Sequence, residues 1–206
     1  MIKCNLTVCG VITRAAELKE KKESGEKFIS FKIKYPVRDR NGESMDMEIS
    51  VSMPGDKAQL SLYPVGRRVR VSGILHPKKR KDAMFFNLRS EGGDILVPTK
   101  EEDSLEGTME FRGKIGKKGV DSRSGKNGSP YKAFSAYSSD KDGENKEYTW
   151  VRFLYFDPKD GEDFLKAEGL VECKGVLRLG VFKGSISLEC LLKEVSEWVI
   201  PEKSEK

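Results

Sequence analysis

The chain has 206 residues, of which 37% are hydrophobic and 34% charged, with a formal net charge of +5. This composition is typical of a soluble globular protein with one large domain or two small ones. No apolar run approaches the roughly 18 residues of a transmembrane helix and no signal-peptide pattern opens the sequence, so we expect a cytoplasmic protein without a membrane segment.

The first half of the chain predicts a series of short strands. Runs of alternating or β-branched residues occur at "CNLTVCGVI", "KFISFKIKYP", "MDMEISVSM", "RRVRVSGIL" and "MFFNLRS". Turn signals such as "SGEK", "RNGE" and "SEGG" separate these runs.

Positive charge is concentrated in three segments, "YPVRDRNG" and "HPKKRKD" in the first half and "KIGKKG" in the second half. Each cluster alone fits a solvated loop, but several together favour nucleic acid or an anionic surface as partner.

A linker and a second series of strands follow. "VPTKEEDSLE", residues 97–106, combines Pro98 with an acidic run and has no apolar periodicity, so we interpret it as the linker. The strands after it are "MEFRGKI", "YKAFSAYS", "EYTWVRFLYF", "LVECKGVL" and "SISLECLL". We expect a hairpin turn at Asp142-Gly143 between the second and third of them. "PKDGEDFLKAEG", residues 158–169, is the best helix candidate, with Gly169 as its C-cap.

The two halves repeat each other at a separation of 103 residues. This offset aligns Gly10 with Gly113, Ile12 with Ile115, Phe31 with Phe134, and Gly66 with Gly169. Five short strands per copy, with a segment between the third and fourth, match the partly open Greek-key barrel called the OB-fold. A β-sandwich fits less well because each copy has so few strands. We therefore predict an all-β protein of two tandem OB-folds, each with at most a short helix, arranged as domain 1–96, linker 97–106, domain 107–200 and a short tail 201–206.

The strand "EYTWVRFLYF" carries more aromatic residues than a barrel core needs. If Val151 and Phe153 point inward, strand alternation places Tyr148, Trp150 and Arg152 outward. Tyr137 is outward on the preceding strand by the same alternation.

The first copy has a different outer face. If Phe31 faces the core, Lys32 and Lys34 face outward and offer phosphate contacts rather than stacking. Phe85 and Phe86 follow the basic hairpin that holds Lys79, Arg80 and Lys81. One of the two aromatic residues could reach a base while the other fills the core, unless both are structural.

The residue inventory argues against an enzyme. His76 is the only histidine, so neither a catalytic triad nor a histidine-rich metal site is expected, and no cofactor is implied. "GVDSRSGKN" lacks the spacing of a phosphate-binding loop, and "SSDKDGENKEYT" has Thr149 where a calcium loop needs Glu. The four cysteines lie in apolar strands without zinc-ligand spacing, so we expect buried free thiols.

Several of these segments resemble bacterial single-stranded DNA-binding proteins. "GVITRAAELKEKKESGEKFISFKI" is similar to the family's opening, a Gly-x-Leu-Thr-Arg-Asp-Pro-Glu-Leu run that leads through Ser-Gly to an apolar strand, with Ala15-Ala16 in place of Asp-Pro. "TWVRFLYF" resembles the family's Trp-His-Arg-Val-Val-Leu-Phe strand, and "GRRVRVSGIL" resembles its fourth strand. The resemblance covers most of residues 1 to 198. It implies a protein that binds single-stranded DNA in replication, recombination or repair.

Proteins of this kind follow phosphates with basic side chains and stack unpaired bases on aromatic ones. Trp150 matches the family's stacking tryptophan and Arg152 its basic neighbour. The predicted DNA-binding residues are Trp150, Arg152, Tyr148, Tyr137, Lys32, Lys34, Lys79, Arg80, Lys81 and Phe85. Two alternatives stay open: a protein-interaction module whose aromatic residues bury a subunit interface, and an RNA binder. Because the family usually works with four OB-folds, the resemblance also implies a homodimer.

Overall fold

Eleven strands and one short helix make up the described part of the chain. The computed structural model describes residues 1–38, 42, 44–80, 83–92, 95–125, 127–142, 145–159 and 161–200, with the backbone alone described for Arg80, Ile95, Lys141, Asp142 and Asn145. The strands are β1 (Ile2–Glu20), β2 (Lys27–Arg38), β3 (Ser44–Pro54), β4 (Arg68–Arg80), β5 (Ala83–Arg89), β6 (Ile95–Leu96), β7 (Ser104–Ser124), β8 (Pro130–Asp142), β9 (Asn145–Phe156), β10 (Leu170–Phe182) and β11 (Ser185–Glu197). A 3-10 helix covers Lys57–Leu62. All ten strands predicted from the sequence are present.

The chain divides into two compact units. The N-terminal unit comprises Lys3–Thr108 and Leu179–Ser187, and the C-terminal unit comprises Met1–Ile2, Met109–Arg178 and the chain from Leu188 onward. β7 begins at Ser104, so residues 104–106 of the predicted linker are already part of a strand.

The N-terminal unit contains a five-stranded barrel. Its strands follow the order β1-β2-β3-β5-β4, with β6 beside β4, and the sheet closes because β1 also pairs with β4. The closing register runs from Cys4 opposite Leu75 to Val11 opposite Arg68. β3 and β5 are parallel, whereas the other pairings in this unit are antiparallel. This is the strand order of an OB-fold.

The C-terminal unit repeats this order with β7-β8-β9-β11-β10 and closes through a pairing of β10 with β7. β9 and β11 are parallel, as β3 and β5 are. Gly10 and Gly113 occupy the same position of the two barrels, since a Cβ at Gly10 would collide with the carbonyl oxygen of Lys34 and a Cβ at Gly113 with that of Tyr137. The predicted all-β fold is therefore confirmed, and both units have the strand order of an OB-fold.

Alternation along the strands supplies the core of each barrel. Phe31 is buried in the N-terminal unit and stacks on Tyr63, with ring centroids 4.9 Å apart. In the C-terminal unit, Phe153 packs against Phe111 at 5.0 Å and against Phe134 at 5.1 Å. Such aromatic pairs contribute about 0.5–1.5 kcal/mol beyond the area that they bury.

The cysteines behave as the sequence predicts. Cys4, Cys9, Cys173 and Cys190 are all buried, and none of these four forms a disulfide bond. Burial raises the pKa of Cys190 to about 12 and also raises the pKa of Cys173. Since the thiolate is the reactive form, these two thiols are inert packing groups.

The segment predicted as a helix, residues 158–169, is not helical in its described part. It turns instead, with the N–H of Leu165 donating to the carbonyl of Glu162 at 2.9 Å. The Glu162 carboxylate lies against the barrel, where it accepts hydrogen bonds from Tyr155 Oη at 2.7 Å and Lys132 Nζ at 3.2 Å. Burial, together with the hydrogen bond to Glu162, raises the pKa of Tyr155. The hydroxyl therefore stays protonated and donates to the carboxylate. The helix prediction is therefore wrong. The contacts of Glu162 are with residues on other strands, which a local sequence pattern does not reveal.

None of the helices in the described ranges combines the length and apolar character needed to cross a membrane.

Candidate nucleic-acid interface

The outer surface of β8 and β9 presents the predicted aromatic residues together. In the antiparallel register, Tyr137 is opposite Trp150, Ser139 opposite Tyr148, and Ser135 opposite Arg152. The residues between them point inward, and Val151 and Phe153 are buried at 1% and 0% exposure. Because side chains alternate strictly across a strand, burial of one set fixes the other on the outside. We call this outer surface the aromatic face.

Tyr137, Tyr148 and Trp150 form one cluster on the aromatic face. The Tyr137 ring lies 4.9 Å from that of Trp150 at an interplanar angle of 53°, and 5.4 Å from that of Tyr148 at 84°. Trp150 remains 49% exposed and Tyr148 44% exposed. Tyr137 thus supports two large rings whose free surfaces are available to a flat ligand.

Arg152 lies beside this cluster and is held by a carboxylate. Its Nη1 is 3.3 Å from Oε1 of Glu189. The parallel pairing of β9 with β11 places these two residues opposite each other. The pair sets the direction of the guanidinium while leaving part of it exposed. Glu189 is absent from the sequence prediction because this long-range pairing has no local signal.

A groove of about 580 Å³ runs along the aromatic face. It is lined by Trp150, Tyr137 and Arg152 and, from β7, by Gly116, Lys117 and Lys118. The groove therefore brings together three of the predicted DNA-binding residues and two lysines. In the sequence analysis these lysines were noted only as part of the basic cluster "KIGKKG". Lys117 and Lys118 are both exposed.

A second aromatic pair lies further along the same face. Tyr131 is opposite Phe156 in the β8–β9 register, and their rings are 5.4 Å apart. Phe156 is 49% exposed. Arg123 places a positive charge at this end of the face. Its side chain hydrogen-bonds to Asp121 and to Tyr131, and these bonds, the one to Asp121 most, raise the pKa of Arg123. The sequence prediction missed Phe156, although the alternation that places Trp150 outward also applies to it.

The N-terminal unit has a charged surface at the corresponding position. Lys32 and Lys34 point outward as predicted, but each forms an ion pair with a carboxylate on β3. Lys32 pairs with Glu48, and Lys34 Nζ lies 3.0 Å from Asp46 Oδ2. Each of these two lysines therefore already has an anionic partner within the face.

The basic hairpin is described only in part. Phe86 is buried at 4% exposure, whereas Phe85 is 49% exposed and lies opposite Lys78. Lys79 is half-buried and lies opposite Met84. The Arg80 side chain and Lys81 lie outside the described residues. Phe86 thus fills the core and Phe85 does not.

Within the described ranges, no three or more His, Cys, Asp or Glu side chains lie together as a metal ion would require.

Comparisons with known proteins give similarity in structure alone. No protein-family model matches the chain, and no curated protein matches its sequence. The single-stranded DNA binding protein from Thermus aquaticus has a TM-score of 0.49 and 12% identity, covering 100% of this chain and 97% of that one. A Plasmodium falciparum SSB complex with ssDNA has a TM-score of 0.32 and 18% identity, covering 49% of this chain and 91% of that one.

A replication protein A heterotrimer bound to ssDNA has a TM-score of 0.31 and 11% identity, covering 97% of this chain and 50% of that one. Proteins described as binding single-stranded DNA are thus among the similar structures. At these identities the likeness says nothing about individual side chains, so the role of the aromatic face rests on its own geometry.

Proposed function

We propose that this protein binds single-stranded DNA without marked sequence preference and protects exposed strands in the cytoplasm during replication, recombination or repair. The observation that carries the proposal is the exposed cluster of Tyr137, Tyr148 and Trp150 beside Arg152 on the outside of a barrel. A contiguous patch of exposed apolar side chains often marks a binding surface. Rings with free faces, next to a cation, suit unpaired bases and their phosphates.

The chemistry of this face favours a single strand over a duplex. Stacking needs a base whose π-face is free, and a duplex keeps its bases stacked on one another. Stacking also tolerates every base, because each has a π-face. This accounts for binding without sequence preference.

The proposal is tested by fluorescence anisotropy with labelled oligo-dT, the corresponding RNA and duplex DNA. We expect saturable binding of oligo-dT and much weaker binding of the duplex. A clear preference for RNA would instead favour the RNA-binding alternative. Absence of binding to all three would reject a nucleic-acid role.

Trp150→Ala is the decisive variant. Loss of one base–aromatic stack should weaken oligo-dT binding by about 1–3 kcal/mol, which is roughly 5- to 150-fold in Kd. The fold should survive, because the ring is half exposed and contributes little to the core. Trp198→Phe, which changes the other tryptophan, is the matched control and should bind like the wild type. Unchanged affinity in Trp150→Ala together with a changed oligomeric state would support the subunit-interface alternative.

A further inference from the structure

A four-residue bulge in β7 borders the aromatic face. In the β7–β8 register, Ile115 is opposite Ala136 and Val120 is opposite Phe134. Residues 116–119, Gly-Lys-Lys-Gly, therefore lie opposite Ser135 alone. Bulges of this kind break the regular pairing and redirect the side chains that they carry. We call these four residues the GKKG bulge.

The bulge is in direct contact with the stacking tryptophan. A Cβ on Gly116 would lie only 3.0 Å from Cζ3 and 3.2 Å from Cη2 of Trp150. At the other end, Gly119 has a φ of +72°, which residues with a side chain rarely adopt. Gly116 thus lets the backbone pass close beside the indole, and Gly119 lets it turn. Lys117 and Lys118, between the two glycines, line the same groove as the indole.

The strand is anchored immediately before the bulge. The N–H of Ile115 donates to the carbonyl of Gly169 at 2.9 Å. The neighbouring Lys114 forms an ion pair with Glu168 at 3.0 Å, and hydrogen bonding to Lys114 lowers the pKa of Glu168. These bonds fix the start of the bulge, so its lysines project from a defined base.

Charge around the groove is in excess on the bulge side. Two carboxylates line the groove, and each has a direct cationic partner: Asp121 pairs with Arg123, and Glu168 pairs with Lys114. Arg152, which also lines the groove, pairs with Glu189 on β11. Lys117 and Lys118 are two further cations in the groove lining. The groove beside Trp150 thus has a net positive charge of two, which corresponds to Lys117 and Lys118.

We infer that the GKKG bulge is a phosphate-binding element, in which Lys117 and Lys118 hold the phosphates that flank the base stacked on Trp150. This inference rests on the proposed binding of single-stranded DNA and adds the residues that bind its backbone. The indole and the two ammonium groups would then contact one nucleotide from two sides. A phosphate contact is electrostatic and independent of the base, so it preserves binding without sequence preference.

The test compares the salt dependence of oligo-dT binding by Lys117→Ala/Lys118→Ala with that of the wild type. Each phosphate neutralised on a single strand contributes about −0.7 to the slope of log K against log salt, so the double variant should lose up to about 1.4 from the slope. Lys174→Ala/Lys193→Ala is the matched control, since both lysines are exposed and line a different cleft of the same unit. Its slope should stay close to that of the wild type.

A wild-type slope in Lys117→Ala/Lys118→Ala, or an equal change in the control, would overturn the role of the bulge while leaving the proposed function intact. Failure of the wild type to bind oligo-dT would reject the proposed function itself. Lys117→Arg/Lys118→Arg should restore the slope, because it restores the charge. Circular dichroism of each variant verifies that the barrels remain folded.

Discussion

Phe156 lies on the same face of β9 as Trp150, six residues further along the strand. At about 3.3 Å per residue, the two side chains are roughly 20 Å apart. Each ring has a tyrosine partner on β8, Tyr131 for Phe156 and Tyr137 for Trp150. One strand of DNA that follows β9 would therefore meet two stacking positions, with Arg152 between them.

This spacing makes the effect of Phe156→Ala depend on the length of the DNA. For an oligonucleotide long enough to reach both positions, we expect a loss of about 1–3 kcal/mol in binding free energy, as for any single stack. For one that covers only the Trp150 end, the loss should vanish. Titrating oligo-dT of increasing length against the wild type, Phe156→Ala and Trp150→Ala measures both effects. A loss that is the same at every length would show that Phe156 acts through the fold instead.

At the level of the strands, the two barrels differ on the outer surfaces of β2–β3 and β8–β9. The β2–β3 and β8–β9 registers correspond pair by pair: Lys34 with Glu48 takes the place of Tyr137 with Trp150. The same correspondence replaces Tyr131 and Phe156 by Phe28 and Pro54. At the position of Tyr137 and Trp150 the N-terminal barrel thus has charged side chains, whereas at the position of Tyr131 and Phe156 it keeps one ring, Phe28.

The ion pairs of the N-terminal barrel can be opened without loss of the fold. Exposed pairs of this kind are worth about 0.2–1 kcal/mol each, so Glu48→Gln/Asp46→Asn should cost little stability. The change releases Lys32 and Lys34 from their partners. We expect tighter oligo-dT binding and a salt slope steeper by up to about 1.4. Lys21 and Glu26 form an exposed pair elsewhere in this unit, so Glu26→Gln is the control. An unchanged slope would remove both lysines from the path of the DNA.

The sequence predicts the strands better than it predicts what holds the side chains of the site. Alternation identifies all ten main strands and the outward position of Trp150, because both depend on neighbours along the chain. The partners of Arg152 and Lys32 depend on the register between strands, which no local pattern reveals. The β7 bulge is hidden for the same reason, since "KIGKKG" shows only its charge. In the described part of residues 158–169, Glu162 contacts Lys132 on β8 and Tyr155 on β9, which local sequence does not reveal.

At the scale of the whole molecule, one chain carries two barrels of the same strand order. Linking two binding modules raises avidity whenever both can engage one ligand. The resemblance noted in the sequence implies four such barrels in the working protein, and hence a homodimer. Light scattering across micromolar concentrations should then give twice the mass of the chain. A constant monomer mass with full oligo-dT affinity would show that two barrels suffice.

Both tryptophans of the chain, Trp150 and Trp198, belong to the C-terminal unit. The N-terminal unit is therefore silent in tryptophan emission, although it contains about half of the strands. A denaturant titration followed by this emission reports the unfolding of one barrel, while far-ultraviolet circular dichroism reports both. The midpoint from fluorescence is thus a local stability, and it equals that of the chain only where the two barrels unfold in a single cooperative step.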